Sequence, residues 1–441
     1  MNDIRMIYHV LGPSPYSKDW VVFHPYSLSF IEVPEDLGEK LQINEIKHYH
    51  LNDRDIKLFL DSIIELKPKI VAKVPSRPVY AYINLTSYCN LACSYCYVQQ
   101  GSYGFLKPET FNEKLIKKTV ELIDSLGIRY VAFFGGEPLL HQDGIKKFIE
   151  IFEKNNNYIE FGIVTNGTLI NKDFVELAKS YKISITVSLD GWRLLHDLNR
   201  QYRSGKGSFS DVIKGIEALL AEQIPLFIQA TYHPSFLNYK VTPLKIAFYL
   251  SKFTKYFAIK PALILEKDRK YEIASMFIEY GKYAVETLDI LSKDNLIYAD
   301  QDVVSITKIL NDRIFRSFNC EFSYYITILP NGDIYTCNTM PPIGKIGHVN
   351  EDEVNIVMRY KSLLKEILPK VSIKKWYDVL GSACFPYIEM FNTYSGIIES
   401  NMDHFLMKFY IILKENKIFN IVKNLENLRK IYNYEYEAYT L

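Results

Sequence analysis

From about Pro78 onward, short runs of β-branched and aromatic residues alternate with longer stretches of helical spacing, a pattern that limits the chain to repeated βα units on a parallel sheet. Six units are readable, with strands expected over Val79 to Leu85, Tyr130 to Phe134, Ile159 to Val164, Ile183 to Leu189, Pro225 to Thr231 and Tyr256 to Leu265. Between the first two, Glu109 to Ser125 brings Leu115, Val120, Leu122 and Ile123 near one helical face. The turns after the first four strands are polar or glycine-rich: Ser87-Tyr88-Cys89, Gly135-Gly136-Glu137, Thr165-Asn166-Gly167 and Asp190-Gly191. In a barrel of parallel strands such turns gather at one end, where active sites form. The expected fold is α/β: a partial (β/α)6 TIM-type barrel over 78–312, with smaller units on either side.

Residues 1–74 read as a small α+β appendage. Strand-like runs at Trp20 to Phe23 and Leu28 to Val33 precede helical patterns at Glu35 to Leu41 and Asp53 to Glu65. Its boundary is the Pro/Lys-rich stretch from Lys67-Pro68-Lys69 to Pro75-Ser76-Arg77-Pro78. The barrel is expected to end with a helix near Asp302 to Asn311. Residues 313–400 form a cysteine-bearing unit whose hairpin runs from Tyr324 to Pro330 through Asn331-Gly332 into Asp333 to Cys337, with the Asn-Gly pair suiting a type I′ turn. In 401–441, Phe405, Phe409, Ile412, Phe419, Val422 and Leu425 fall on helical spacing. This is an amphipathic helix expected to pack on the body, with a membrane-surface role as the alternative.

Composition removes several classes of function. The 441 residues are 48% hydrophobic and 23% charged, as in an ordinary globular protein. A net charge of +1 without long Lys or Arg runs argues against a nucleic-acid partner. No stretch of about 18 apolar residues is present, so no transmembrane segment is expected. Met1-Asn2-Asp3-Ile4-Arg5 has none of the features of a signal peptide, which makes cytoplasmic the expected location.

Six cysteines are too few for a disulfide framework in a chain of this size, and Cys89, Cys93 and Cys96 stand in the spacing C-x3-C-x2-C directly after the first strand. Three thiolates suit an iron–sulfur cluster with one iron left open for another ligand. Zinc is the competing reading. It normally takes four ligands, often as two C-x2-C pairs, and no second pair is present.

The stretch Cys89-Asn90-Leu91-Ala92-Cys93-Ser94-Tyr95-Cys96, with an aromatic before the third cysteine, resembles the signature of the radical S-adenosylmethionine superfamily. The resemblance implies a [4Fe-4S] cluster whose open iron is chelated by S-adenosylmethionine, reductive cleavage to methionine and a 5′-deoxyadenosyl radical, and an external electron donor such as ferredoxin or flavodoxin. It extends to Gly135-Gly136-Glu137-Pro138, similar to the family's turn whose backbone receives the cofactor's amino group, and to Thr165-Asn166-Gly167. It also covers Ser188-Leu189-Asp190-Gly191, near ribose and carboxylate, and His196 to Arg200, where Arg200 or Arg203 holds the carboxylate. The residues it implies for cofactor binding are Tyr95, Gly135, Gly136, Glu137, Pro138, Asn166, Ser188, Asp190 and Arg200. Taken singly, Asn166 and Asp190 also read as turn residues, and the arginines as solvated surface groups.

Cys320, Cys337 and Cys384, with Ile343-Gly344-Lys345-Ile346-Gly347 after the second of them, resemble the SPASM or shorter Twitch domain that carries auxiliary iron–sulfur clusters. A full SPASM domain has about seven cysteines; three suffice for one auxiliary cluster. Buried thiols are the alternative. The implied function is modification of a peptide or protein side chain by crosslink, thioether or oxidation, over residues about 79–385. The same chemistry on a small cofactor precursor or lipid is the second reading, and a non-catalytic zinc or iron–sulfur protein the third. The appendage is placed like a leader-peptide recognition module, or acts as a structural cap. No catalytic acid or base can be named from the sequence.

Overall fold

The computed structural model describes residues 7–47, 53–154, 158–264, 269–316, 324–338, 344–371 and 394–432. Three strands, β1 (His9–Pro13), β2 (Trp20–His24) and β3 (Ser29–Val33), form an antiparallel sheet in that order, followed by α1 (Glu35–Lys47) and α2 (Arg54–Ile63). β1 has no counterpart in the sequence reading. It contains Gly12 and Pro13, which ordinarily weaken a strand, and its register shifts at Gly12, where φ is +110°.

The barrel strands are β5 (Tyr80–Asn84), β6 (Tyr130–Phe134), β7 (Glu160–Thr165), β8 (Ser184–Ser188), β9 (Leu226–Tyr232) and β10 (Tyr256–Pro261). They pair in sequence order, each parallel to the next. Alternation decides what each face does. On β5, Ala81 and Ile83 are fully buried and join a core with Ile116 and Val120, whereas Tyr80 and Tyr82 turn to the other side, against Tyr325, Tyr130 and Phe134. Burying a Phe, Ile or Leu side chain is worth roughly 1.5–3 kcal/mol, so the helix-covered face anchors the barrel. The opposite, lumen-facing positions include the half-buried Tyr82, Phe134, Val164, Thr186, Ser188 and Gln229.

The helix expected from Glu109 begins later, as α3 (Glu113–Leu126). Asn112 caps it by accepting the Leu115 N–H, and Gly127 ends it at φ +73°. Residues 109 and 110 are held outside the helix, because Ser87 N–H donates to the Glu109 carbonyl at 2.9 Å and Thr86 bridges Thr110.

The sheet does not stop at the sixth strand. A two-residue β11 (Ala299–Asp300) adds to β10, and at the opposite edge β13 (Tyr325–Ile328) pairs in parallel with β5. The hairpin β13, β14 (Asp333–Tyr335) and β15 (Lys345–His348) thereby continues the barrel sheet, placing the Cys337 segment at the edge of the first barrel strand. Its turn is not type I′. Gly332 N–H donates to the Leu329 carbonyl at 2.8 Å, Leu329 N–H to Asp333 at 2.9 Å, and only Gly332 of the Asn-Gly pair has positive φ, +87°. Pro330 favours this three-residue loop, since its ring presets the first turn position.

The boundary stretch also carries structure: β4 (Ile70–Ala72) pairs in parallel with β12 (Ile314–Arg316). Phe23 and Leu28 of the appendage share a core with Phe405, Leu406 and Phe409. The C-terminal stripe lies on two helices, Ser395–Lys414 and Ile418–Tyr432, separated by Asn416 at φ +55°. Phe405, Phe409 and Ile412 are buried as expected, but Phe419 is 70% exposed because it follows the break. Among the described residues no helix is long and apolar enough to cross a membrane.

Candidate active site at the barrel mouth

After Asn84 the chain enters the loop that carries Cys89, Cys93 and Cys96, all half-buried. Segment 199–203 forms a rail along it. Ala92 N–H donates to Gln201 at 2.8 Å, Ser94 N–H to the Asn199 carbonyl at 3.0 Å, and the Ser94 hydroxyl to Asn199 Oδ1 at 2.7 Å. Arg203 Nε donates to the Cys89 carbonyl at 3.2 Å, and Gln100 N–H to Cys96 Sγ at 3.1 Å. Beyond the third cysteine the backbone is left-handed at Gln99, Gln100, Gly101, Tyr103 and Gly104. At the non-glycine positions this conformation costs on the order of 1–3 kcal/mol each and persists only where the surroundings enforce it.

The turn after β6 is packed directly on the backbone leading into this loop. Gly136 N–H donates to Thr86 at 3.2 Å and Glu137 N–H to Tyr88 at 2.8 Å. A Cβ on Gly136 would lie 1.9 Å from the Tyr88 carbonyl oxygen, and one on Gly135 2.9 Å from that of Thr86. Both glycines are therefore needed for close backbone approach. Pro138 follows, buried, at the start of a short 3-10 turn.

Glu137 is fully buried. Its Oε1 accepts from Leu139 N at 3.0 Å and Thr165 Oγ1 at 2.6 Å, and its Oε2 from Asn166 N at 2.7 Å. Burial raises its pKa to about 7. The carboxylate thus braces the turns after the second and third strands. Asn166 in turn donates to Asn90 Oδ1 at 2.8 Å and stands 4.0 Å from Cys89 Sγ.

Opposite these turns, Asp190 is fully buried. It accepts from the Tyr95 hydroxyl, from Arg200 Nε at 3.0 Å and from Thr231 N at 2.9 Å. The Arg200 guanidinium lies over the Tyr95 ring at 5.3 Å. Burial opposes its charge, but Asp190, Tyr95 and Cys93 raise its pKa well above the ordinary value. Ser188 ends β8 half-buried on the lumen side. His196, buried, is lowered to about 4 by desolvation, stays neutral and meets Ser208 Oγ at 3.0 Å.

The structure thus gathers Cys89, Cys93, Cys96, Tyr95, Gly135, Gly136, Asn166, Asp190 and Arg200 around one mouth. Cys337 lies across a seam from them: the Tyr103 hydroxyl donates to the carbonyl of Asn338 at 3.0 Å, and Asn84 Nδ2 donates to Tyr103 at 2.9 Å. Cys320 and Cys384 lie outside the described residues. Asn84 and Tyr103 were not singled out from the sequence. The available signal was Asn84's place at the end of the Tyr80, Tyr82 alternation.

Burial pushes the Cys89 thiol up to about 12, with Glu137 adding to it, and Cys93 up to about 11, so both release protons on binding a metal. Three thiols on one loop, with an N–H already directed at Cys96 Sγ, fit a cluster.

A three-thiol loop at the C-terminal edge of a parallel barrel, backed by an Arg–Asp–Tyr network, suits an iron–sulfur cluster that works with S-adenosylmethionine. Residues 83–236 match the family model of the Radical SAM superfamily, so the chain carries a domain of that superfamily of enzymes, whose cofactors are a [4Fe-4S] cluster and S-adenosylmethionine. It is 28% identical over 314 residues to the uncharacterized protein MJ0907 of Methanocaldococcus jannaschii, covering 67% of this chain and 93% of that one. It is 30% identical over 144 residues to the antilisterial bacteriocin subtilosin biosynthesis protein AlbA of Bacillus subtilis, covering 32% of this chain and 30% of AlbA. A cysteine-type anaerobic sulfatase-maturating enzyme of Clostridium perfringens is 32% identical over 145 residues, covering 30% of this chain and 38% of that enzyme. The chain therefore spans less than half the length of these two curated relatives. In fold it is similar to native anSMEcpe with bound AdoMet, with a TM-score of 0.64 at 20% identity over 77% of this chain and 100% of that one.

Proposed function

We propose that this chain is a radical S-adenosylmethionine maturase that takes a hydrogen atom from a side chain of a peptide or protein, leaving a crosslink, a thioether or an oxidised residue. The observation that carries the reading is the seam between Tyr103 and Asn338, which sets the Cys337 segment beside the radical cysteine loop at a half-buried lumen. The named relatives support it, since one serves subtilosin biosynthesis and another sulfatase maturation.

The cluster and S-adenosylmethionine, when bound, supply a one-electron cleavage that gives methionine and a carbon radical able to take hydrogen from an unactivated position. Cys89, Cys93 and Cys96 hold the cluster. The backbone of Gly135 and Gly136, with Asn166, Ser188 and Arg200, orients the cofactor, and Asp190 fixes Arg200 and Tyr95 in place. Cys320, Cys337 and Cys384 hold one auxiliary cluster, and a ferredoxin or flavodoxin supplies the electron.

The test is anaerobic reconstitution with iron and sulfide, followed by S-adenosylmethionine, reduced flavodoxin and synthetic peptides encoded beside the gene. Formation of 5′-deoxyadenosine together with a defined mass change in a peptide is the expected result. No deoxyadenosine from iron-loaded protein would overturn the radical reading. Deoxyadenosine coupled only to a small molecule, with every peptide mass unchanged, would overturn the peptide reading.

A further inference from the structure

Asn84 is the last residue of β5 and continues the Tyr80, Tyr82 face, so its side chain points into the lumen at the mouth. It is only 1% exposed. Its neighbour settles which way the amide points. The Tyr103 hydroxyl has one proton, which goes to the Asn338 carbonyl at 3.0 Å, so toward Asn84 it must accept, and Asn84 Nδ2 lies 2.9 Å away. Oδ1 therefore faces the other way, where it is buried and meets no donor among the described residues.

A buried carbonyl oxygen without a donor is costly, and a fold keeps one only where something else satisfies it. The device that holds it is itself strained, because Tyr103 sits at φ +53° between Gly101 and Gly104. Next to it lies the turn after β6: a Cβ on Gly135 would come within 3.1 Å of Asn84 Cβ, so only a glycine lets that turn pack this close to Asn84.

We propose that Asn84 Oδ1 is a binding subsite that accepts a hydrogen bond from an N–H donor, ammonium or amide, of a ligand seated at the mouth. The donor comes from S-adenosylmethionine or from the peptide held against it, and only the second source rests on the function proposed above. Tyr103 is the positioning residue that turns the amide.

The test is a crystal structure of the reconstituted protein with and without S-adenosylmethionine, paired with equilibrium dialysis of S-adenosylmethionine and melting curves of Asn84→Leu and Tyr103→Phe. If the cofactor is the donor, one of its nitrogens lies within hydrogen-bond distance of Oδ1, and Asn84→Leu binds it about tenfold more weakly without a fall in melting temperature. If the peptide is the donor, cofactor affinity is unchanged and Oδ1 opens onto the lumen beside the bound cofactor. A protein N–H on Oδ1, or a water sealed against it in both structures, would overturn the proposal. The unsubstituted protein decides this even if Asn84→Leu does not fold, and such a failure leaves the deoxyadenosine and peptide-mass assays untouched.

Discussion

The Glu137 carboxylate accepts the Asn166 backbone N–H at 2.7 Å inside a fully buried site, tying the turn after the second barrel strand to the turn after the third. Every group on that carboxylate, Leu139 N, Thr165 Oγ1 and Asn166 N, is a donor. Glu137→Gln keeps one acceptor oxygen but points an NH2 at an N–H, and is expected to cost about 1–3 kcal/mol of stability; Glu137→Ala is expected to cost more. Stability and S-adenosylmethionine affinity should fall together. Urea unfolding alongside dialysis checks this, and a loss of affinity with unchanged stability would contradict the bracing role.

Two of the chain's glycines should behave very differently on substitution. Gly136→Ala forces a methyl to 1.9 Å from the Tyr88 carbonyl oxygen, and backbone cannot yield there without moving the cysteine loop. Gly205→Ala meets nothing within 4 Å and has only its φ of +82° against it. We expect at least about 1–3 kcal/mol and reduced iron incorporation for the first, against about 1 kcal/mol and normal iron for the second. Thermal unfolding and iron content decide it, and equal effects would show that the backbone contact is unimportant.

The strands were legible because their runs are dense in β-branched and aromatic residues, and Tyr130–Phe134 falls on the expected residues. The cysteine loop was legible from spacing alone. What stayed hidden was contact between distant segments. Nothing local in Tyr325–Ile328 says that it pairs with Tyr80–Ile83, because a parallel pairing across more than two hundred residues leaves no turn signal. The same is true of Tyr103, whose role depends on Asn84 and Asn338, and of Glu137, whose inward direction depends on Asn166. The sequence does not announce β1 either, because it contains Gly12 and Pro13, residues that ordinarily weaken a strand.

His9 joins the appendage to the helix Ser395–Lys414. Its Nδ1 meets Glu45 at 2.5 Å and its Nε2 meets Asp403 at 2.6 Å. Burial alone would lower its pKa, but Asp403 and Glu45 outweigh it and raise the value to about 9 from 6.5. The folded state therefore binds the proton more tightly than the unfolded state. The stabilisation is fully present below about pH 6.5 and is lost as pH rises through about 9. His9→Gln should destabilise the protein at pH 6 and have a shrinking effect toward pH 9.5, as read by melting curves across that range. A pH-independent difference would show that His9 is not charged in the fold.

The two cysteine sets should separate cleanly by iron content. Cys89, Cys93 and Cys96 lie on one loop at the mouth, whereas Cys337 follows β14 across the Tyr103–Asn338 contact. With two cubane clusters, reconstituted protein should carry about eight irons, and either triple alanine variant about four. Replacing Cys89, Cys93 and Cys96 should abolish 5′-deoxyadenosine formation outright. Replacing Cys320, Cys337 and Cys384 should leave S-adenosylmethionine cleavage intact and stop turnover of the peptide, because the radical is still made but the auxiliary site is gone. Iron that does not change in the second variant would remove the auxiliary cluster from the account, and deoxyadenosine that survives in the first would remove the radical site.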